Sequence, residues 1–187
     1  DSMILRVKNQ LKIRTEDLSF VIDELKIMFE KDKRFSQVAD FDKIGIFGHS
    51  FGGCTSIMSA YNDTRIDAVI GLDAYFLPLP KEIIKKDLNT PFVHLGQVSW
   101  GESDNYEVMS KLGKSSNREF YHFAIEGSKH NDYTDFSQFT KLTRKFGSGK
   151  ISPKSIRYIM NDVMLGFFDY HLKLLFQRSM VMQLEAV

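Results

Sequence analysis

Lys43-Ile44-Gly45-Ile46-Phe47-Gly48-His49-Ser50-Phe51-Gly52-Gly53 is the stretch that decides how this chain is read. Lys43 to Gly48 has the pattern of a short buried strand, and residues 51–61 suit a helix of small side chains. Between them, Gly48-His49-Ser50-Phe51-Gly52 fits G-x-S-x-G. Three fixed positions in five are a weak signal alone, but a strand before and a helix after are the context of a nucleophile elbow. In such a turn the chain reverses within one residue and holds its serine in a strained conformation on an exposed tip. Gly48 and Gly52 are expected to be glycine because a Cβ would collide with the flanking strand or helix, and Gly53 so that the helix packs close. The helix N-terminus beneath Ser50 presents free N–H groups and a positive dipole end to a developing oxyanion, with the Phe51 amide as the expected donor.

Upstream, residues 3–30 form one long helix or two abutting ones: Ile4, Leu11, Leu18 and Leu25 recur at seven, broadened by Val7, Val21, Ile22, Met28 and Phe29. Arg14 interrupts the second row, which argues for a helix packed on its own domain and against a coiled coil. Downstream, Ile66 to Leu72, Thr90 to Leu95 and Glu119 to Ile125 read as further strands, with Pro78 and Pro80 punctuating a loop. Helices are expected at 105–112, near 133–145 and at 153–176, the last with Ser152 as N-cap and Pro153 in its first position. Strands alternating with helices give an α/β domain with a mostly parallel sheet and crossover helices.

A serine hydroxyl needs a base, and the base needs an orienting acid. In a strand–elbow–helix site the chain order is Ser, acid, His. His49 lies in the elbow, His94 and His122 in strands and His171 in the last helix. His130 alone follows the last strand in a polar loop, Gly127-Ser128-Lys129-His130-Asn131-Asp132, where the base belongs. Two positions compete for the acid. Asp73 ends the strand that follows the elbow, after five residues without charge. Asp104, with Glu102 nearby, sits in the polar loop after the next strand, the commoner home of the acid. A carboxylate at the end of an apolar strand needs a hydrogen-bond partner, which an imidazole N–H supplies, and Asp73 is favoured on this ground together with the resemblance given below.

The composition is that of a globular domain: 43% hydrophobic, 13% aromatic and 26% charged in 187 residues, with 4 Pro and 12 Gly. A net charge of +1 gives no field that points to nucleic acid. Cys54, the single cysteine, makes no intrachain disulfide. No apolar run nears the roughly 18 residues of a bilayer span. No His/Cys/Asp group has ligand spacing, so neither a metal nor another cofactor is called for. The chain opens at Asp1 without a charged-then-apolar leader, which leaves the compartment open.

Three blocks carry a family resemblance: Gly48-His49-Ser50-Phe51-Gly52-Gly53; Gly71-Leu72-Asp73-Ala74-Tyr75 with Pro78-Leu79; and Gly127-Ser128-Lys129-His130-Asn131 with Asp135-Phe136. Together, over about Phe41 to Lys173, they resemble the plasma and cytosolic type II platelet-activating factor acetylhydrolases, calcium-independent group VII phospholipases A2 of the α/β-hydrolase fold. The resemblance implies Ser50, Asp73 and His130 as nucleophile, acid and base. The family usually has Trp where this chain has Tyr75, and often Ala where it has Cys54, which bears on substrate range and not on the reacting groups. It also implies strands before the elbow, and a second oxyanion amide, that these residues do not supply. The chain is therefore expected to be the C-terminal part of one incomplete domain, partnered by the N-terminal half of the same protein.

The leading expectation is a serine esterase that cleaves the sn-2 short-chain or oxidised acyl ester of phospholipids. The alternatives are a general carboxylesterase or polyester hydrolase of the same fold, or an inactive fragment serving as a binding module. Secreted and cytoplasmic placement are both compatible with the resemblance. Phe139, Leu142 and Phe146, at i, i+3 and i+7 with Lys141, Arg144 and Lys145 around them, are expected either to pack on the sheet or to rest in a membrane or lipoprotein surface.

Overall fold

A parallel strand covered on both faces carries apolar side chains without polar alternation. Ile66–Leu72 is such a strand: every residue but Asp67 is buried. It belongs to a four-stranded, all-parallel sheet in this computed structural model, which describes residues 2–98, 100 and 104–173. In chain order the elements are α1 (Ser2–Lys31), α2 (Lys33–Ser36), β1 (Ile44–His49), α3 (Phe51–Asn62), β2 (Ile66–Leu72), α4 (Lys81–Ile84), β3 (Phe92–Gln97), α5 (Asn105–Lys114), β4 (Phe120–Ile125), α6 (Phe136–Phe139) and α7 (Pro153–Leu172). Tight 3-10 turns occupy His130–Tyr133 and Lys141–Phe146.

The strands lie side by side in sequence order, β1-β2-β3-β4. Crossovers that always advance in one direction with one hand fall on one face of the sheet. Accordingly α1, α3 and α5 share a core with Ile46, Ile66, Val69 and Phe92, built around Leu11, Cys54, Ile57, Phe76, Met109 and Leu112. On the other face α7 packs Ile156 and Phe167 against Ala68, Ile70, Val93 and Leu95. Ile66 and Val69 point the same way although three residues apart. Between them Asp67 bulges out of the β1–β2 ladder, its carboxylate accepting the Ile44 N–H at 2.8 Å. Phe76 and Phe92 are fully buried, and truncating either to Ala would cost about 3–5 kcal/mol.

The expected strands are all present, within two residues of their predicted ends. Ser152 caps α7 by accepting the Ser155 N–H at 3.0 Å, with Pro153 in the first turn. Residues 174–176, expected to extend that helix, lie outside the described residues. Three expectations are corrected. The stripe on α1 is only half covered: Leu11 and Ile22 are buried, whereas Val21, Leu25 and Met28 are exposed. A Cβ on Gly52 would meet nothing, so the elbow's steric demand falls on Gly48 and Gly53 alone. The helix expected near 133–145 is broken into the His130–Tyr133 turn, α6 and the Lys141–Phe146 turn, because Thr140 is extended and its hydroxyl restarts the chain by accepting the Leu142 N–H. Phe139, Leu142 and Phe146 therefore share no helix face. Nor do they pack on the sheet, being 78%, 58% and 68% exposed.

Candidate active site

Two non-glycine residues among those described have positive φ, and they face each other at the carboxyl ends of neighbouring strands: Ser50 (φ 56°) after β1 and Asp73 (φ 42°) after β2. Such conformations persist only where the surroundings over-determine them. The Ser50 N–H donates to the Leu72 carbonyl at 3.0 Å, and the Ser50 carbonyl accepts the Tyr75 N–H at 2.9 Å, so the turns at Ser50 and Asp73 brace one another. Close approach makes this possible. A Cβ on Gly48 would run into the Gly52 carbonyl, and one on Gly53 would stand 2.5 Å from the Cβ of Ala74. The turn at Asp73 is held from beneath as well. Ala74 donates its N–H to His94 Nε2 at 3.1 Å, and Asn105 accepts the Phe76 N–H at 2.6 Å while donating to the Ala74 carbonyl at 2.9 Å.

Into this bracket comes His130, from the turn that follows β4. Its Nδ1 lies 2.6 Å from Asp73 Oδ2 and its Nε2 3.0 Å from Ser50 Oγ. A carboxylate only accepts, so Nδ1 carries the proton and Nε2 is free to take one from the serine hydroxyl. The loop is fixed by Asp132, whose buried carboxylate accepts the N–H of Lys129 at 2.8 Å and of Gly149 at 2.6 Å. His49 Nε2 donates to the His130 carbonyl at 3.0 Å, with the two rings 4.5 Å apart. Burial, and then the neighbouring His130, push His49 below the usual imidazole range, so it stays neutral at ordinary pH.

Asp73 is fully buried. Burial alone would push its carboxyl up. Hydrogen bonds from His130, the Gln97 N–H and the Trp100 indole outweigh it, and the group is held below the usual carboxylate range. His94 is also fully buried. Burial, and next His122, drive it down to about 3, so it remains a neutral acceptor for the Ala74 amide. Phe51 opens α3, where the first N–H groups have no partner within the helix. The Arg14 guanidinium lies 5.0 Å over the Phe51 ring, which explains the basic residue in the apolar stripe of α1.

The structure thus brings Ser50, Asp73, His130 and the Phe51 amide to one place. Asp104 is exposed at the start of α5, and Glu102 lies outside the described residues. Phe139, Leu142 and Phe146 follow the His130 loop on the surface, tied to it where Asn131 Nδ2 donates to the Phe146 carbonyl at 3.0 Å. Sequence reasoning passed over His94, Gln97, Trp100 and Asn105. His94 alone left a signal: an ionisable residue inside the apolar run Phe92-Val93-His94-Leu95 requires a partner.

Comparison with known proteins follows the same lines. A family model described as platelet-activating factor acetylhydrolase, isoform II, matches residues 5–181. The platelet-activating factor acetylhydrolase of Gallus gallus is 30% identical over 138 residues, 72% of this chain and 32% of its own length. That of Canis lupus familiaris is 29% identical over 161 residues, 84% of this chain and 34% of its own. The chain spans about a third of the length of these relatives. Among solved structures, a ferulic acid esterase from Streptomyces cinnamoneus superposes with a TM-score of 0.72 at 24% identity, over 89% of this chain and 50% of that one. A dienelactone hydrolase-like promiscuous phosphotriesterase from metagenomic libraries gives 0.56 at 11% identity, over 71% of this chain and 54% of the other. The fold is that of the α/β-hydrolases.

Proposed function

The chain belongs to the platelet-activating factor acetylhydrolase isoform II family, and from that premise we propose that it carries the reacting groups of a serine esterase acting on the sn-2 acyl ester of phospholipids with short or oxidised acyl chains. The observation that carries the reading is His130 in hydrogen-bond reach of both Ser50 Oγ, at 3.0 Å, and the buried Asp73 carboxylate, at 2.6 Å. Ser50 Oγ adds to the ester carbonyl as His130 Nε2 takes its proton. The carbonyl electrons move onto oxygen, where the Phe51 N–H meets them. Collapse of this intermediate breaks the ester bond. The lyso-phospholipid alkoxide leaves with the proton from Nε2, and the acyl group stays on Ser50. Water, deprotonated by the same nitrogen, then releases the acid and regenerates the serine. Asp73 keeps the imidazole in the Nδ1–H tautomer and offsets its charge in both halves of the cycle. No step calls on calcium.

A lipid substrate must be met at its surface. Phe139, Leu142 and Phe146 offer a small apolar contact beside the base loop, and residues 136–150 carry four Lys or Arg and no Asp or Glu. This supports contact with an anionic membrane or lipoprotein surface. The test of the function is labelling of the protein with a fluorophosphonate, followed by peptide mapping and by hydrolysis of a 2-acetyl phospholipid beside a p-nitrophenyl ester. Ser50 is expected to be the one serine labelled, and Ser50→Ala to lose both labelling and turnover by several orders of magnitude. Labelling that survives in Ser50→Ala refutes the reading. Turnover of the p-nitrophenyl ester without the phospholipid favours the general carboxylesterase instead.

A further inference from the structure

A carboxylate has about four lone-pair directions, and in Asp73 each is occupied, only one of them by the base. Oδ2 takes His130 Nδ1 at 2.6 Å and the Gln97 side-chain amide at 3.0 Å. Oδ1 takes the Gln97 main-chain N–H at 3.0 Å and the Trp100 indole N–H at 3.1 Å. Gln97 ends β3 and Trp100 follows it, ahead of Asp104 and Glu102, which the sequence offers as rival acids. This stretch delivers donors to the acid on β2 instead.

These donors are themselves held. The Tyr106 hydroxyl, from α5, donates to the Gln97 carbonyl. Trp100 stacks on Tyr75, with centroids 5.7 Å apart and planes 15° apart, and turns its ring edge-on to His130 at 5.0 Å and 73°. Two donors on Oδ1 stop the carboxylate from rotating, so one lone pair of Oδ2 stays aimed at His130. Trp100 touches acid and base at once. We propose that Gln97 and Trp100 are positioning residues for the acid, and that Trp100 also fixes the base against it. This rests on the reading of Ser50, His130 and Asp73 given above.

The experiment is a double-mutant cycle on a soluble short-chain ester. Trp100→Phe keeps the ring against Tyr75 and His130 and deletes only the indole N–H. Gln97→Met keeps the chain length and the main-chain N–H and deletes only the amide. Each is expected to lower kcat by about 10–100-fold, the scale of one hydrogen bond to a charged group, with KM unchanged within about twofold, because the acid acts in the transition state. Melting temperature should stay near that of the parent. In an Asp73→Asn background the same substitutions should add less than about twofold, since no carboxylate remains to be held. A merely structural role would cost the same in both backgrounds, and that result overturns the inference. So does a Trp100→Phe protein as fast as the parent while Ser50→Ala is inactive. Should Trp100→Phe fail to fold, the Gln97→Met cycle makes the same decision. If Ser50→Ala itself retains activity, it is the underlying function that has failed.

Discussion

Asp73→Asn changes one atom in a carboxylate with four hydrogen-bond donors around it, and the identity of those donors decides the outcome. The new NH2 must replace either Oδ1 or Oδ2. At Oδ1 it would face a main-chain N–H and an indole N–H, neither of which is able to become an acceptor. At Oδ2 it faces the Gln97 amide, which accepts after a flip, and the His130 ring, which accepts at Nδ1 by moving its proton to Nε2. Asparagine therefore settles with NH2 toward His130 and leaves an N–H pointing at Ser50 Oγ. The base is then present, well placed and in the wrong tautomer. The same substitution in the best-studied serine triad costs about 10⁴ in kcat, or about 5 kcal/mol of barrier. A similar loss is expected here with folding intact. Exposed Asp104 serves as the control: Asp104→Asn should stay within about twofold, as surface changes of about 0.5 kcal/mol do. The assay is kcat on a soluble ester, normalised by fluorophosphonate titration, with melting temperature alongside. An Asp73→Asn protein within tenfold of the parent, or an Asp104→Asn protein slower than it, refutes the assignment of the acid.

Hydrolysis should persist in EDTA without added calcium, because the serine cycle needs no Lewis acid; a strict metal requirement would point to other chemistry. Phe139→Ala with Leu142→Ala should weaken co-sedimentation with anionic liposomes while leaving melting temperature and soluble-ester turnover nearly unchanged, since both side chains are more than half exposed. Unchanged liposome binding would remove the surface contact. Asp63 is held down to about 2 from an ordinary 3.8, first by the Arg65 side chain. A carboxyl lowered on folding contributes stability that is complete above its unfolded pKa and is lost as pH falls toward the folded one. Asp63→Asn should therefore flatten the decline of stability between about pH 4 and pH 2, and parallel parent and variant curves would refute this.

The elbow, the strands and the meeting of Ser50, Asp73 and His130 were legible because each is written locally: an apolar run, then glycine or a charged residue where the run stops. Asp73 stood out because a charge closing five uncharged residues needs a partner, and the structure supplies four donors. Spacing misled where it reports amphipathy without reporting what covers it. Phe139, Leu142 and Phe146 have helical intervals, yet Thr140 breaks the helix and all three face solvent. Val21 and Leu25 continue the stripe of Leu11 and Leu18, yet both stay exposed where Leu11 is buried. Gln97 and Trp100 were out of reach for another reason. Their role exists only where the end of β3 runs beside the turn after β2, a relation set by strand pairing and invisible to residue type.

Because the strands pair in the order in which they are made, no early strand waits for a distant one: Ile44 finds Ile66, Val69 finds Phe92, and Phe92 finds Phe120. Pairing between strands that are neighbours in sequence keeps the loops that must close short. Ser50 and Asp73 stand at the ends of the first two of these strands, whereas His130 follows the fourth, so the side chain that reaches both is the last of the three to be made. Strand order thus fixes the order in which the three side chains are delivered, with His130 last.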